Sequence, residues 1–260
     1  MTGLFAIYHF GRMLRPGDGV IAHHNALRVL NFERWAHLPD ELAEQKALLT
    51  SKFWTEFANT YYFYVHLPAT AVFLIWMFRR RPLLYPAVRH AMIGTTFVGL
   101  VVHLAFPLAP PRMLSGLGFI DTAARYGPNI YAGDPDHPTV VNQYAAMPSL
   151  HVGWAMLVAG GLIAATTTRW RWLWLLHPTL TAVAVVGTAN HYWLDCIVGV
   201  VLLAVVTATF GRLPRAMRRR EPARAAAGGV DPSRGPQAPA PTRRLNWRGS
   251  RLGAGSVRAP

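Results

Sequence analysis

The chain is poor in cysteine, in lysine and in acid. One cysteine, Cys196, stands among 260 residues, so no intrachain disulfide framework exists. Only 12 residues are Asp or Glu, and charged residues make up 15% of the chain. That is little for a soluble domain that is also 52% hydrophobic. The start has no basic region ahead of its apolar stretch and no clear cleavage site, which argues against a cleavable signal peptide. No HExxH or cysteine-rich pattern points to a metal site, and no nucleic-acid-binding module is present.

What is present is length in the apolar runs. Five stretches read as membrane spans: 61–78, 90–109, 151–168, 173–190 and 193–211. The expected fold is therefore all-α, a polytopic membrane helix bundle. Residues 20–58 read as amphipathic helix with a break near Leu38-Pro39-Asp40. Val20, Leu27, Leu30, Trp35, Leu42, Leu49, Phe53 and Phe57 supply its apolar face, which suits a helix pair lying on the membrane surface. The opening GLFAIYHF is apolar but too short to cross, and is expected to be the trailing end of a longer first span. The domain plan is thus 1–58 interfacial helices, 59–213 membrane core and 214–260 tail.

Net charge is +14, and its location matters more than its size. Residues 212–260 carry 12 arginines against Glu221 and Asp231, a net of +10. This Pro-, Gly-, Ala- and Arg-rich tail has too little apolar content to fold alone and is expected to be disordered. Such a tail after a span marks the cytoplasmic side and touches anionic headgroups. Loop 79–89, with Arg79, Arg80, Arg81 and Arg89, and loop 169–171, with Arg169 and Arg171, alternate to the same side. The opposite, extracytoplasmic side then holds residues 20–58, the slightly acidic loop 110–148 and the turn at 190–193.

On that outer side four polar groups from distant segments converge. His151 sits in the first turn of its span, after Pro148 and the natural N-cap Ser149. His191 and Asp195 open the last span, four apart, as if sharing a helix face. Arg112 lies just beyond the 90–109 span. A carboxylate on one imidazole nitrogen leaves the other free as base or nucleophile. First-turn amides, Ser149 and Arg112 are suited to an anion, so the set reads as a phosphate site needing neither metal nor cofactor. His66 and His103, about one to two turns below the outer surface, are expected to be satisfied packing histidines, the alternative being that they line a pocket. Trp172, Trp174, Tyr192 and Trp193 are expected to form interface belts. Cys196 is expected to be a small apolar helix residue.

Pro148-Ser149-Leu150-His151 followed by His191-x-x-x-Asp195 resembles the type 2 phosphatidic acid phosphatase superfamily, which carries Pro-Ser-x-His and His-x-x-x-Asp on a six-helix membrane core. Ala109-Pro110-Pro111-Arg112 and His191-Tyr192 look most like its inositolphosphotransferase branch, the inositol phosphorylceramide synthase-like proteins of actinobacteria. The similarity covers about residues 1–210. It implies that His191, oriented by Asp195, attacks phosphorus to form a phosphohistidine. His151 then serves as general acid and base, and Arg112 and Ser149 bind phosphate. Two family features are missing. Val185 stands where phosphatase members carry an arginine six residues before the second histidine. The lysine seven residues before an Arg-Pro pair is Tyr8 or Leu74 here. Arg112 is the candidate replacement, which favours the transferase branch. The implied substrates are membrane lipids: a phospholipid donor in the plasma membrane, and a lipid alcohol, sugar alcohol or water as acceptor. The alternatives are a lipid phosphate phosphatase and a non-enzymatic transporter or structural membrane protein.

Overall fold

The computed structural model describes residues 18–128 and 143–210, which fall in one compact unit. Helices α1 (Asp18–Trp35) and α2 (Glu41–Leu49) come first. They are separated at the expected break, and the Asp40 carboxylate caps α2 by accepting from Leu42 N at 3.0 Å. Helix α3 runs unbroken from Lys52 to Arg80, with a π-helical turn at Tyr61–Val65. Then follow α4 (Tyr85–Ala105), the short α5 (Thr122–Tyr126), α6 (Leu150–Ala165), α7 (Leu176–Gly187) after a 3₁₀ stretch Arg169–Leu175, and α8 (Trp193–Phe210).

The bundle is helical throughout the described residues, with one isolated bridge between Leu108 and Ala145. Two helices, Lys52–Arg80 and Tyr85–Ala105, are long and apolar enough to cross a membrane; Leu150–Ala165 and Trp193–Thr209 are apolar but shorter. The first of these starts at Lys52, not at Tyr61. Residues assigned from sequence to the surface helix thus belong to a long helix that continues into the core. Ser51 supplies the reason: its hydroxyl accepts from Trp54 N at 3.4 Å and starts the helix there.

Helices α4, α6 and α8 pack on one another at glycines. A Cβ on Gly153 would stand 3.3 Å from the Gly199 carbonyl oxygen, and one on Gly199 would collide with the Ser149 carbonyl. The α6 and α8 backbones therefore touch, as small residues permit in membrane bundles. Below that contact lies an apolar cluster including Phe73, Met77, Val88, Met92, Val158 and Leu203. Leu74, the alternative to Tyr8 at the missing lysine position, packs against this cluster.

The opposite end is roofed by α1 and α2. Of the residues expected on the apolar face of α1, only Leu30 is buried against the protein. Ala22, Ala26, Val29 and Leu30 pack inward against Leu108, Ala109, Ala189 and Tyr192, while Val20, Leu27, Trp35, Phe53 and Phe57 are exposed. Small side chains let α1 lie close on the loops beneath it, and the bulky ones point away from the protein. That exposed apolar surface suits a membrane interface.

The loop after α4 is stapled to the helices by buried amides. Gln45 donates to Ile120 O at 2.8 Å and accepts from Ile120 N at 2.9 Å. Asn59 donates to Thr122 O and Gly127 O, and its amide oxygen accepts from the Thr122 hydroxyl. These fully buried groups are satisfied, as interiors require. The opening stretch with Tyr8, the loop acids Asp134 and Asp136, and the basic tail lie outside the described residues.

Candidate active site

The site forms where the start of α6 meets the turn between α7 and α8. Ser149 is the N-cap of α6, its hydroxyl accepting from Val152 N at 3.4 Å. Its own amide donates to Asp195 O at 3.0 Å, tying α6 to α8. His103, from α4, donates through Nε2 to Pro148 O at 3.1 Å and holds the segment ahead of the cap. It is thus satisfied, as expected. His151 follows in the first helical turn, and its ring centroid lies 5.9 Å from that of His191.

His191 is not on a helix. It sits in the turn before α8, and its nearness to Asp195 comes from the fold of that turn rather than from helical repeat. Ala189 adopts a left-handed backbone at φ 57°, although it is not glycine. Three main-chain bonds hold it there: Ala189 N to Val186 O, Asn190 N to Val185 O, and Arg112 N to Ala189 O. Strain of this kind persists only when the surroundings over-determine it.

His191 Nδ1 lies 2.9 Å from the Ala146 carbonyl and 3.4 Å from Asp195 Oδ2. Both partners only accept, so Nδ1 carries the hydrogen and Nε2 keeps its lone pair. The Ala146 carbonyl is the closer partner, and a carbonyl is invisible to sequence reading. Asp195 is fully buried; Oδ2 also accepts from Tyr192 N at 3.0 Å, and Oδ1 has no partner.

Arg112 is 6% exposed, in a 3₁₀ turn. Its backbone docks on Ala189, two residues before His191, and its guanidinium Nε lies 3.4 Å from Asp121 Oδ2. Asp121 is the N-cap of α5, so this ion pair links the arginine to the loop that follows it. Val185, at the position where an arginine was missing, is fully buried in an apolar cluster with Tyr62, Val152 and Cys196. Cys196 is buried there as a small apolar residue, as expected.

Tyr192 is a correction. It is no belt residue but fully buried, its hydroxyl donating to Ala109 O at 2.8 Å. Trp172 and Trp174 are exposed, as a belt requires. Trp193 is tied inward, its indole N–H donating to Glu44 at 2.9 Å.

The start of α8 is held by carboxylates from the roof. Glu33 accepts from Leu194 N at 2.7 Å, and Glu41 from Trp193 N at 3.4 Å. Their oxygens satisfy first-turn amides that have no partner within the helix. Burial, and then the neighbouring Glu41, push the Glu33 carboxyl from 4.5 up to about 9, so it is protonated near neutrality. The Glu44 carboxyl is also raised, by burial first. These acids are far from His191 in sequence, so no motif spacing reveals them.

His66 departs from its expected role as a satisfied packing residue. It is fully buried, neither ring nitrogen has a partner, and its ring centroid is 5.2 Å from that of His151. His177, to which sequence reading assigned nothing, lies 5.8 Å further on. Among the described residues no group of three or more His, Cys, Asp or Glu side chains is placed to hold a metal ion.

Two histidines from separate helical segments, one with its tautomer set by acceptors and the other at a capped helix start, thus stand side by side on a helical bundle. The PAP2 superfamily model matches residues 27–209, and the chain belongs to that superfamily. The chain is also 31% identical over 140 residues to the inositol phosphorylceramide synthase catalytic subunit aur1 of Schizosaccharomyces pombe. That match covers 45% of this chain and 31% of the yeast protein, so the chain spans about a third of its relative. The likeness agrees with the synthase-like branch. No solved structure matches the chain.

Proposed function

We propose that the protein is an integral membrane phosphotransferase acting on a lipid phosphate or phosphodiester, with inositol phosphate or a similar headgroup as the group moved. The observation that carries this reading is the His191 tautomer: acceptors on Nδ1 leave Nε2 as a lone pair, 5.9 Å ring to ring from His151. In the first step His191 Nε2 attacks phosphorus, the bond to the leaving oxygen breaks, and His151 gives that oxygen its proton. In the second, the acceptor hydroxyl gives its proton to His151 and attacks phosphorus. The P–N bond then breaks and its electron pair returns to Nε2. Arg112 and Ser149 are the proposed phosphate-binding residues. Asp195 balances the imidazolium charge that develops on His191.

A cavity of about 500 Å³ opens between α6, α7 and α8. Its walls include Val152, next to His151, and Trp193 and Cys196, which flank Asp195 closely in sequence. Its lining is almost wholly apolar, which suits a lipid tail whose phosphate reaches the histidines. Five membrane passages, with the site at the extracytoplasmic face of the plasma membrane and the tail in the cytoplasm, complete the proposal. The arginine-rich loops support it. Converging histidines also leave a transporter reading without an observation in its favour.

The test is transfer in vesicles containing labelled phosphatidylinositol with diacylglycerol or ceramide, run beside labelled phosphatidic acid and a His191→Ala control. Headgroup appearing on the acceptor, and absent in the control, supports a transferase. Free phosphate from phosphatidic acid alone makes the protein a phosphatase. Activity surviving in His191→Ala refutes the nucleophile assignment.

A further inference from the structure

Three buried ring nitrogens beside the site lack any partner: Nδ1 and Nε2 of His66, and Nε2 of His177. Leaving such groups unpaired inside a membrane bundle is costly, and polar residues retained there mark function. They also lie in a row. Ring centroids run from His191 to His151 at 5.9 Å, to His66 at 5.2 Å and to His177 at 5.8 Å. The row ends at the Tyr61 hydroxyl, 2.7 Å from His177 Nδ1 and 3.2 Å from the Thr181 hydroxyl.

The two site histidines are supported unequally. His191 is anchored through Nδ1 by a carbonyl and a carboxylate. Around His151 the ring contacts are Tyr62 at 4.6 Å, His66 and His191. A ring that delivers and recovers a proton works best when a second group sets its orientation and tautomer. A separation of 5.2 Å between centroids is close to the reach of one N–H···N bond of ~2.9 Å joining two ring edges. Beyond His66 the last orphan is His177 Nε2, whose ring centroid is 5.8 Å from that of His66.

Local backbone supports the assignment. The turn Tyr61–Val65, immediately before His66, is π-helical. Such turns are rare and occur mostly at functional sites. This one lies within an otherwise continuous α3 and sets the direction of Tyr61, Tyr62 and His66 together.

We propose that His66 is the positioning residue of His151, linked through His177 to the Tyr61 hydroxyl, as Asp195 and the Ala146 carbonyl are for His191. The inference rests on the reading of His151 as the acid and base of phosphoryl transfer. The ionisable groups around His66 are His151, His177 and Tyr62, with His191, Tyr61 and His103 one neighbour further away.

The test uses the full chain in vesicles of phosphatidylcholine with labelled phosphatidylinositol and diacylglycerol, comparing wild type, His66→Phe, His66→Gln and His191→Ala. Phenylalanine keeps the ring and removes both orphan nitrogens. The expected result is a His66→Phe protein that melts no lower than wild type. Its kcat falls about 10- to 100-fold, less than the roughly 100- to 10,000-fold loss of an acid–base group itself, with donor KM unchanged. Its optimum pH for kcat moves, and His66→Gln, which keeps a donor and an acceptor, recovers part of the rate. Wild-type kcat in His66→Phe overturns the proposal. So does activity lost only in step with melting temperature in both variants, which makes His66 a packing residue. Loss of His191→Ala activity beside an unimpaired His66→Phe overturns this inference alone, whereas an active His191→Ala protein removes the reading beneath it.

Discussion

The same helices build two unlike regions. Near one end, α3 contributes His66, α4 His103, α6 His151, and α8 Asp195; deeper along them come Phe73, Met92, Val158 and Leu203. The side chains of the apolar region carry no polar group to satisfy. The polar region holds Glu33 Oε2, both His66 nitrogens, His177 Nε2 and Asp195 Oδ1, all buried without a partner; the Thr95 hydroxyl on α4, between Met92 and His103 in sequence, is the one other such atom among the described residues. A fold tolerates such atoms where they are used, because removing them raises stability and removes chemistry. The difference teaches that stability is made in one half of the bundle and spent in the other.

Mutations separate the two halves. The largest effect is expected at His191 or His151: substitution by alanine lowers transfer by at least roughly 100- to 10,000-fold while melting temperature stays near wild type. A parallel loss of folding would show that these rings belong to the packing half. Phe73→Ala tests the other side. It leaves a cavity at a residue 5% exposed, for about 3 kcal/mol of unfolding free energy, with turnover per folded molecule retained. Loss of turnover without loss of stability in that protein would erase the contrast.

Gly199→Ala should damage both properties at once. Its Cβ is directed at the Ser149 carbonyl, a backbone atom that cannot move alone, so about 1–3 kcal/mol is lost and α6 shifts with its histidine. Unfolding in micelles and the vesicle transfer assay read the two effects.

The last effect is a pH dependence. Glu33 has its proton affinity raised on folding, from 4.5 to about 9. The folded state therefore binds a proton that the unfolded chain has released. That contribution is complete below about pH 4.5 and is lost as pH climbs through about 9. Melting temperature should fall across that window. Glu33→Gln, which mimics the protonated acid and keeps an oxygen for Leu194 N, should flatten the slope. An unchanged slope would mean that Glu33 is ionised in the folded protein.

Much of the helical plan was legible because it depends on local pattern. The break at Leu38-Pro39-Asp40, the cap at Ser149 and the later helix starts follow from short-range chemistry. The burial of α1 was not legible, since amphipathic pattern identifies an apolar face without saying whether protein or membrane covers it. Val20 and Trp35, expected on a membrane-facing surface, are exposed, and the face packed on the protein is built from Ala22 and Ala26, which no apolar pattern marks. Tyr192 was misread for a similar reason: an aromatic beside an apolar run resembles a belt until a carbonyl such as Ala109 O is found within reach.

Sequence alone determined the family, because its few characteristic side chains recur in a recognisable order. It also determined the helical bundle, because apolar runs of this length have no other stable form in a bilayer. Tertiary structure decided what surrounds those side chains. It put His191 in a strained turn, gave its Nδ1 the Ala146 carbonyl, placed Glu33 and Glu41 on the start of α8, and set His66 beside His151. None of these contacts leaves a mark in the spacing of residues, since each joins segments distant along the chain through a backbone atom or a buried ring.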